Sequence, residues 1–188
     1  MKKIVQKGDK VLRQKAREVP VHEINSKKIK TVVKDMRQAL YAERDGVAIA
    51  APQIGESLRI FVVSGRAFDI EKGVYDEKDK KPKSADLVCI NPVIKKLSKD
   101  KEDMDEGCLS VRYLYGKVKR AKKATLTAYD ENGKKFTRGA SGLLAQIFQH
   151  ETDHLEGILF IDKAKDVVDL PPKKAEGLRL RASIHGKK

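Results

Sequence analysis

Five consecutive residues, His150-Glu151-Thr152-Asp153-His154, follow the pattern HExxH, which is typical of a hydrolytic metal site. On a helix, His150 and His154 lie one turn apart on one face, where both rings can bind the same ion. Glu151 is offset from that face by about 100° and can reach a water molecule on the metal. The pattern therefore predicts a metal ion that activates water for hydrolysis.

The residues around this motif have the periodicity of an amphipathic helix over 141–156, and Gly157 is placed to end it. Leu143 and Ile147 precede His150 by seven and three residues and share its face. The two imidazoles are therefore expected to point toward the core, where bulk water is excluded. The alternative is a helix with two surface histidines and a solvated glutamate.

A catalytic metal needs a third protein ligand and an open position for water. The metzincin pattern would place a third histidine six residues after His154, but Phe160 stands there. Glu176 has about the spacing of the downstream glutamate in thermolysin-like peptidases. Cys108, in EGCLS, is the other candidate, because Gly107 leaves it sterically open and a metal would hold it as thiolate. From the residues alone, Cys108 and Glu176 both stay open.

Three segments together resemble the signature motifs of the peptide deformylases: GVAIAAPQIG at 46–55, EGCLS at 106–110 and QHETDHL at 149–155. The resemblance extends from about Ile4 to Asp162. Peptide deformylases remove the N-formyl group from the starting methionine of new bacterial polypeptides. The resemblance thus implies a metal-dependent hydrolase that releases formate from nascent N-formylmethionyl peptides.

The resemblance also implies a role for particular residues. Cys108, His150 and His154 would hold one divalent metal ion, with Fe²⁺ the usual ion of the family. The donor set by itself favours zinc, and Zn²⁺, Ni²⁺ or Co²⁺ could occupy the site in purified protein. Glu151 would take a proton from the attacking water and give it to the departing amine.

The oxyanion that forms on the formyl carbonyl would be stabilised by the side-chain amide of Gln53 and the backbone N–H of Leu109. Without the resemblance, Gln53 is a polar residue in a loop of small residues. The backbone groups that would pair with the substrate peptide like an added strand belong to Gly46, Val47, Ala48 and Gly107.

Three positions depart from the family pattern. Ala48 stands where glycine is usual, Tyr115 where several bacterial members have an arginine that contacts substrate, and Gln146 where an apolar residue is typical near the methionine pocket. These differences concern substrate preference and rate. They do not affect the proposed metal ligands.

The elements that must position these residues are predicted from periodicity. An apolar stripe over 26–43, with Ser26 as N-cap, indicates a long helix. Strand composition is found at 59–64, 87–90, 93–97 and 158–161, and a hairpin is predicted from 124–129 and 134–138. Residues 69–85 are polar and lysine-rich, and we expect a mobile surface insertion there.

These elements predict an α+β fold, with antiparallel sheets packed around a central helix that carries HExxH, a long N-terminal helix and a basic C-terminal tail. A single metal-dependent deformylase domain is expected over 1–170, and the tail over 171–188. Cys89, inside an apolar strand, is expected to be a buried core residue.

Composition indicates the cellular location and the class of protein. The 188 residues contain 41 lysines and arginines and 27 acidic residues, a net charge of +14. No apolar run is long enough to span a membrane, and the N-terminus has no signal-peptide pattern, so a cytoplasmic protein without membrane contact is expected. Two cysteines outside any CxxC pattern argue against a disulfide scaffold.

The positive charge also raises an alternative, a protein that binds the ribosome or RNA and keeps only a structural metal site. In the deformylase interpretation the same charge predicts a transient ribosome contact through a basic surface or the tail. The tail residues that could contact ribosomal RNA are Lys173, Lys174, Arg179, Arg181, Lys187 and Lys188.

Overall fold

The computed structural model describes residues 2–79 and 81–170, which form a mixture of helices and antiparallel sheets, as predicted. The three α-helices are α1 (Lys27–Ala42), α2 (Gly65–Glu71) and α3 (Gly142–Leu155). Within the described residues, no helix is long and apolar enough to cross a bilayer. The basic tail predicted at 171–188 lies outside the described residues.

One sheet has five antiparallel strands in the order β1-β2-β3-β6-β7. Its strands are β1 (Ala48–Ala50), β2 (Ile60–Val63), β3 (Leu87–Leu97), β6 (Lys123–Tyr129) and β7 (Lys135–Ser141). The second sheet has three antiparallel strands in the order β4-β5-β8. Its strands are β4 (Lys101–Gly107), β5 (Leu114–Ala121) and β8 (Lys165–Asp169).

Helix α1 begins after a side-chain cap, because Ser26 Oγ accepts a hydrogen bond from the N–H of Ile29 at 3.3 Å. Its buried stripe consists of Ile29, Val32, Val33, Met36, Ala39 and Leu40. The stripe packs against β1 and β2 and forms one of the two large apolar clusters of the core.

Helix α3 packs on the other face of the same sheet. Phe148 lies against Phe61 of β2 with ring centroids 6.2 Å apart, and both side chains are fully buried. Cys89 belongs to this second cluster and is fully buried, as expected. The helix ends at Leu155, and two residues later the φ of +75° at Gly157 and its approach to the carbonyl of Arg13 leave no room for a side chain.

Three predicted segments differ from the structure. The first three residues of the insertion expected at 69–85 belong to α2. Among them, Asp69 is buried, and its carboxylate accepts hydrogen bonds from the N–H groups of Lys83 and Ser84. In the strand expected at 158–161, the first two residues are in neither helix nor strand, and the last two belong to a 3₁₀ turn, Phe160–Asp162.

The break expected at Asn91-Pro92 is an irregularity inside one continuous strand, β3. Asn91 has a φ of +51°, and its amide bonds both backbone groups of Val19 at 2.8 and 2.7 Å. This side-chain pairing stabilises the left-handed backbone conformation and lets β3 continue.

Candidate active site

Two elements bring the predicted metal ligands together. Helix α3 supplies His150 and His154, and the turn after β4 supplies Cys108. The three ligand atoms all lie within 4.8 Å of one another, and Cys108 Sγ is 3.2 Å from Nε2 of His154. Glu176, the alternative third ligand, lies outside the described residues.

A buried carboxylate orients one of these rings. Oε2 of Glu106 lies 2.9 Å from Nδ1 of His150, which leaves Nε2 of that ring as the atom for a metal. Arg120 binds both oxygens of Glu106, at 2.7 and 2.9 Å, and also Asp153 at 2.6 Å. Burial raises the pKa of Glu106, but the hydrogen bonds from His150 and Arg120 outweigh it and lower the pKa to about 2. The carboxylate therefore stays ionised.

Glu151 is almost completely buried, and its Oε2 has no hydrogen-bond partner within the described residues. Burial raises the pKa of Glu151 to about 7. Nδ1 of His154 is also buried without a partner within residues 2–79 and 81–170. Burial lowers the pKa of His154, which favours the neutral ring that binds metal. The unpaired, buried oxygen of Glu151 beside three ligand atoms is typical of a site for a metal and its water.

Gln53 is held at both ends of its side-chain amide. Its Oε1 accepts the N–H of Ala50 at 2.8 Å, and its Nε2 donates to Ser110 Oγ at 3.2 Å. Nε2 also lies 3.5 Å from Cys108 Sγ, so the amide N–H group faces the proposed metal ligands. Sequence reasoning did not identify Ser110 as a functional residue, although it belongs to the EGCLS motif.

A cleft of about 220 Å³ opens onto these groups. One wall is formed by residues 45–48, the other by residues 105–109 and 111–115, so all four residues proposed to pair with substrate line it. Gln53, Leu109 and Cys108 line it as well. The face of α3 in the cleft consists of Leu143, Gln146, Ile147, His150 and Glu151.

The three positions that depart from the family pattern line the cleft as well. The ring of Tyr115 lies against Gly107, and a Cβ atom at position 107 would be only 2.6 Å from Cε1 of the tyrosine. Gln146 Nε2 donates to the carbonyl of Asp105 at 2.9 Å, and Ala48 is buried at the start of β1.

An ion pair that sequence reasoning missed joins the two walls of the cleft. Arg112 Nη1 lies 3.0 Å from Asp45, and its Nη2 lies 2.6 Å from Glu43. The partners are separated by more than 60 residues in the sequence, so no local pattern indicates the contact. The pairing of Arg120 with Glu106 spans only 14 residues, but it depends on the register of two neighbouring strands, so no local pattern indicates it either.

Known proteins resemble this chain along most of its length. The sequence model of a family described as polypeptide deformylase matches residues 1–169. The peptide deformylase of Pelotomaculum thermopropionicum is 41% identical over 172 residues, which are 92% of this chain and 97% of that protein. That of Fusobacterium nucleatum is 42% identical over 161 residues, 86% of this chain and 82% of that protein.

A solved structure agrees with these sequence matches. The actinonin-bound class I type b peptide deformylase of Acinetobacter baumannii is similar with a TM-score of 0.74 and 32% identity. The similarity covers 88% of this chain and 99% of that one.

Proposed function

The chain belongs to the polypeptide deformylase family, and from this premise and the geometry of the cleft we propose that Cys108, His150 and His154 hold its metal ion. The enzyme is a metal-dependent hydrolase that removes the N-formyl group from the N-terminal formylmethionine of nascent polypeptides and releases formate. The catalytic unit proposed is a single domain over residues 1–170.

The donor set fits a divalent ion of the first transition series. One cysteine sulfur and two imidazole nitrogens lie within 4.8 Å of one another, and Glu106 fixes one ring through its other nitrogen. A bound ion lowers the pKa of a coordinated water molecule and polarises the formyl carbonyl. Fe²⁺ is the ion that family membership favours, and Zn²⁺, Ni²⁺ or Co²⁺ would compete for the same ligands.

Glu151 is proposed as the group that moves the proton. Its Oε2 has no hydrogen-bond partner among the described residues, so this oxygen is available to a water molecule or to substrate. A pKa of about 7 suits a carboxylate that first accepts a proton from the attacking water and then donates it to the departing amine.

Gln53 and the backbone N–H of Leu109 are proposed to stabilise the negative charge that develops on the formyl oxygen. The clamped amide of Gln53 supports this role, because a donor held in place before the reaction needs no reorganisation during it. Gln53 is buried, which strengthens its electrostatic interaction with the oxyanion.

The peptide portion of the substrate is proposed to extend along β1. This strand lies at the edge of the five-stranded sheet, so its outer backbone groups can pair with an added strand. Gly46, Val47 and Ala48 line the cleft on that side, and Gly107 lines it opposite. Gln146, polar and in the cleft, is proposed to restrict the first side chain of the substrate.

The observation that carries this proposal is the convergence of Cys108, His150 and His154 beside the buried, unpaired carboxylate of Glu151. It is tested by measuring formate release from a formylmethionyl peptide with protein loaded anaerobically with Fe²⁺, or with Ni²⁺. We expect release by the wild type and a loss of at least about 100-fold for Glu151→Ala with unchanged metal content. Release by Glu151→Ala at the wild-type rate would remove Glu151 from this role.

The ligand set is tested separately by metal analysis. Cys108→Ser is expected to lower the metal content of purified protein, whereas Glu176→Gln should keep it. The reverse result would assign the third ligand to Glu176 and favour a peptidase-like site.

Ribosome contact through a basic surface or the tail, and a cytoplasmic location, are part of this proposal. The excess positive charge of the chain supports the contact, since the substrate is a nascent polypeptide. The test compares ribosome co-sedimentation of the full chain with that of a chain ending at Asp169, at low and high salt. Equal binding by both would exclude the tail.

A further inference from the structure

One peptide unit beside the proposed metal ligand is held from outside the cleft. The carbonyl oxygen of Leu109 accepts a hydrogen bond from Gln6 Nε2 at 3.1 Å. The N–H of the same peptide unit, that of Ser110, lies 3.4 Å from Cys108 Sγ and donates to it. A peptide unit is planar and rigid, so a bond that fixes its carbonyl also fixes the direction of its N–H. Gln6 thereby sets the direction of a hydrogen bond to the ligand sulfur.

The segment that carries Gln6 is itself anchored to both sides of the site. Ile4 packs against the apolar cluster of α1, and Val5 packs against the cluster that contains Val111. The N–H of Val5 donates to the carbonyl of Gln53 at 2.9 Å. One short segment therefore contacts both the residue that donates to the oxyanion and the turn that carries the thiolate.

We infer that Gln6 is a positioning residue of the metal centre, which acts through the Leu109–Ser110 peptide on the N–H···S bond to Cys108. The inference rests on the proposed ligand set. A hydrogen bond to a ligating thiolate withdraws charge from sulfur and so tunes its bond to the metal. Without the Gln6 contact, the turn bond from the N–H of Val111 to the carbonyl of Cys108, at 3.1 Å, is left to restrain this peptide, and we expect the N–H···S bond to weaken.

Gln6 is suited to a clean test because its side chain is exposed and makes no contribution to the buried core. Gln6→Met keeps the length of the side chain and removes the amide donor. Gln6→Lys keeps an N–H donor at a similar reach. Gln14→Met is the matched control, since Gln14 is an exposed glutamine of the same N-terminal region.

The first measurement needs no turnover. Each variant is loaded with Co²⁺, and the sulfur-to-cobalt charge-transfer absorption and the rate of Co²⁺ loss to a chelator are recorded. For Gln6→Met we expect the absorption to move to lower energy and metal loss to become about tenfold faster. Gln6→Lys should lie close to the wild type, and Gln14→Met should equal it.

The second measurement is the rate of formate release. For Gln6→Met we expect kcat to fall about fivefold, with KM changed less than about twofold, because a positioning bond acts on the reacting groups. An unchanged spectrum and rate of metal loss in Gln6→Met would overturn the inference, and so would an effect on KM alone. If the wild type bound Co²⁺ with this absorption but released no formate, the proposed function would fail while the role of Gln6 would still be decided by the spectrum.

Discussion

Nδ1 of His150 lies 2.9 Å from Oε2 of Glu106, so a residue two positions before Cys108 orients the ring of another proposed ligand. Glu106 in turn accepts hydrogen bonds from Nε and Nη2 of Arg120. The ligands that α3 and the β4 turn contribute are thus linked by a buried chain of charged hydrogen bonds.

Removal of the Glu106 charge should weaken metal binding. We expect Glu106→Gln to lower Zn²⁺ affinity about tenfold, measured by competition with a chelator, because His150 loses its charged acceptor. The free energy of unfolding should also fall by about 3 kcal/mol, since the buried Arg120 keeps only Asp153 as a negatively charged partner. Glu102→Gln, in the same strand but exposed, is the control. Equal Zn²⁺ affinity of Glu106→Gln and wild type would contradict the orienting role.

Ser110 should affect the reaction through Gln53. In Ser110→Ala the amide of Gln53 loses its oxygen acceptor and keeps only the longer contact with Cys108 Sγ, and we expect kcat to fall about fivefold with KM unchanged. Gln53→Ala should lose about 100-fold, and adding Ser110→Ala to it should cost nothing more. Ser98→Ala, which removes a hydroxyl bonded to Asp100, is the control. Full additivity in the double variant would show that Ser110 acts independently of Gln53.

Arg112 should influence binding of the longer part of the peptide. Because its ion pairs with Asp45 and Glu43 join the walls of the cleft, Arg112→Ala is expected to raise KM about fivefold for formylated tripeptides. The effect on formylmethionine alone should be smaller. Arg37→Ala removes an arginine with two acidic partners outside the cleft and should leave KM unchanged. The same increase in KM for both substrates would argue against a contact along the peptide.

Asp69 should make stability depend on pH in acid. Hydrogen bonds from Ser84 and Lys83 lower its pKa below the ordinary value, so the folded state binds the proton less readily than the unfolded chain. The stabilisation is therefore complete above about pH 4 and is lost as the pH falls through the folded pKa. Urea unfolding of Asp69→Asn and wild type should differ at pH 7 and converge at lower pH. Asp103→Asn, at an exposed strand position, is the control for replacing a carboxylate by an amide. A difference in unfolding free energy between Asp69→Asn and wild type that stayed constant down to the most acidic pH would refute the prediction.

Local sequence was sufficient to predict the elements in which the buried residues recur at a regular spacing. The helix expected over 26–43 and α1 at Lys27–Ala42 nearly coincide. Five apolar residues recur there at helical spacing, and a serine precedes them as N-cap. The spacing of His150 and His154 is likewise a local property. Residues four apart lie on one face of any helix, whatever surrounds it in the fold.

Strands β4 and β5 could not be predicted in this way. Six residues of β4 are exposed or half-buried, and in KEDMDEG only Glu106 is buried, so no apolar alternation marks the strand. The strand is formed by pairing with β5, in a register that places Glu106 opposite Gly116 and lets the side chain of Arg120 reach Glu106. Such pairing depends on a segment elsewhere in the chain.

Residue types and local spacing are enough to indicate the chemistry available to this protein: an HExxH helix, a thiol next to a glycine and a glutamine among small residues. How these groups meet depends on the folded chain. It brings Cys108 within 3.2 Å of His154, joins Gln53 to Ser110, and buries Glu151 at the base of the cleft. The physical reason is that ligand geometry and burial arise from contacts between residues far apart in the chain, whereas residue type and helical spacing are carried by each segment alone.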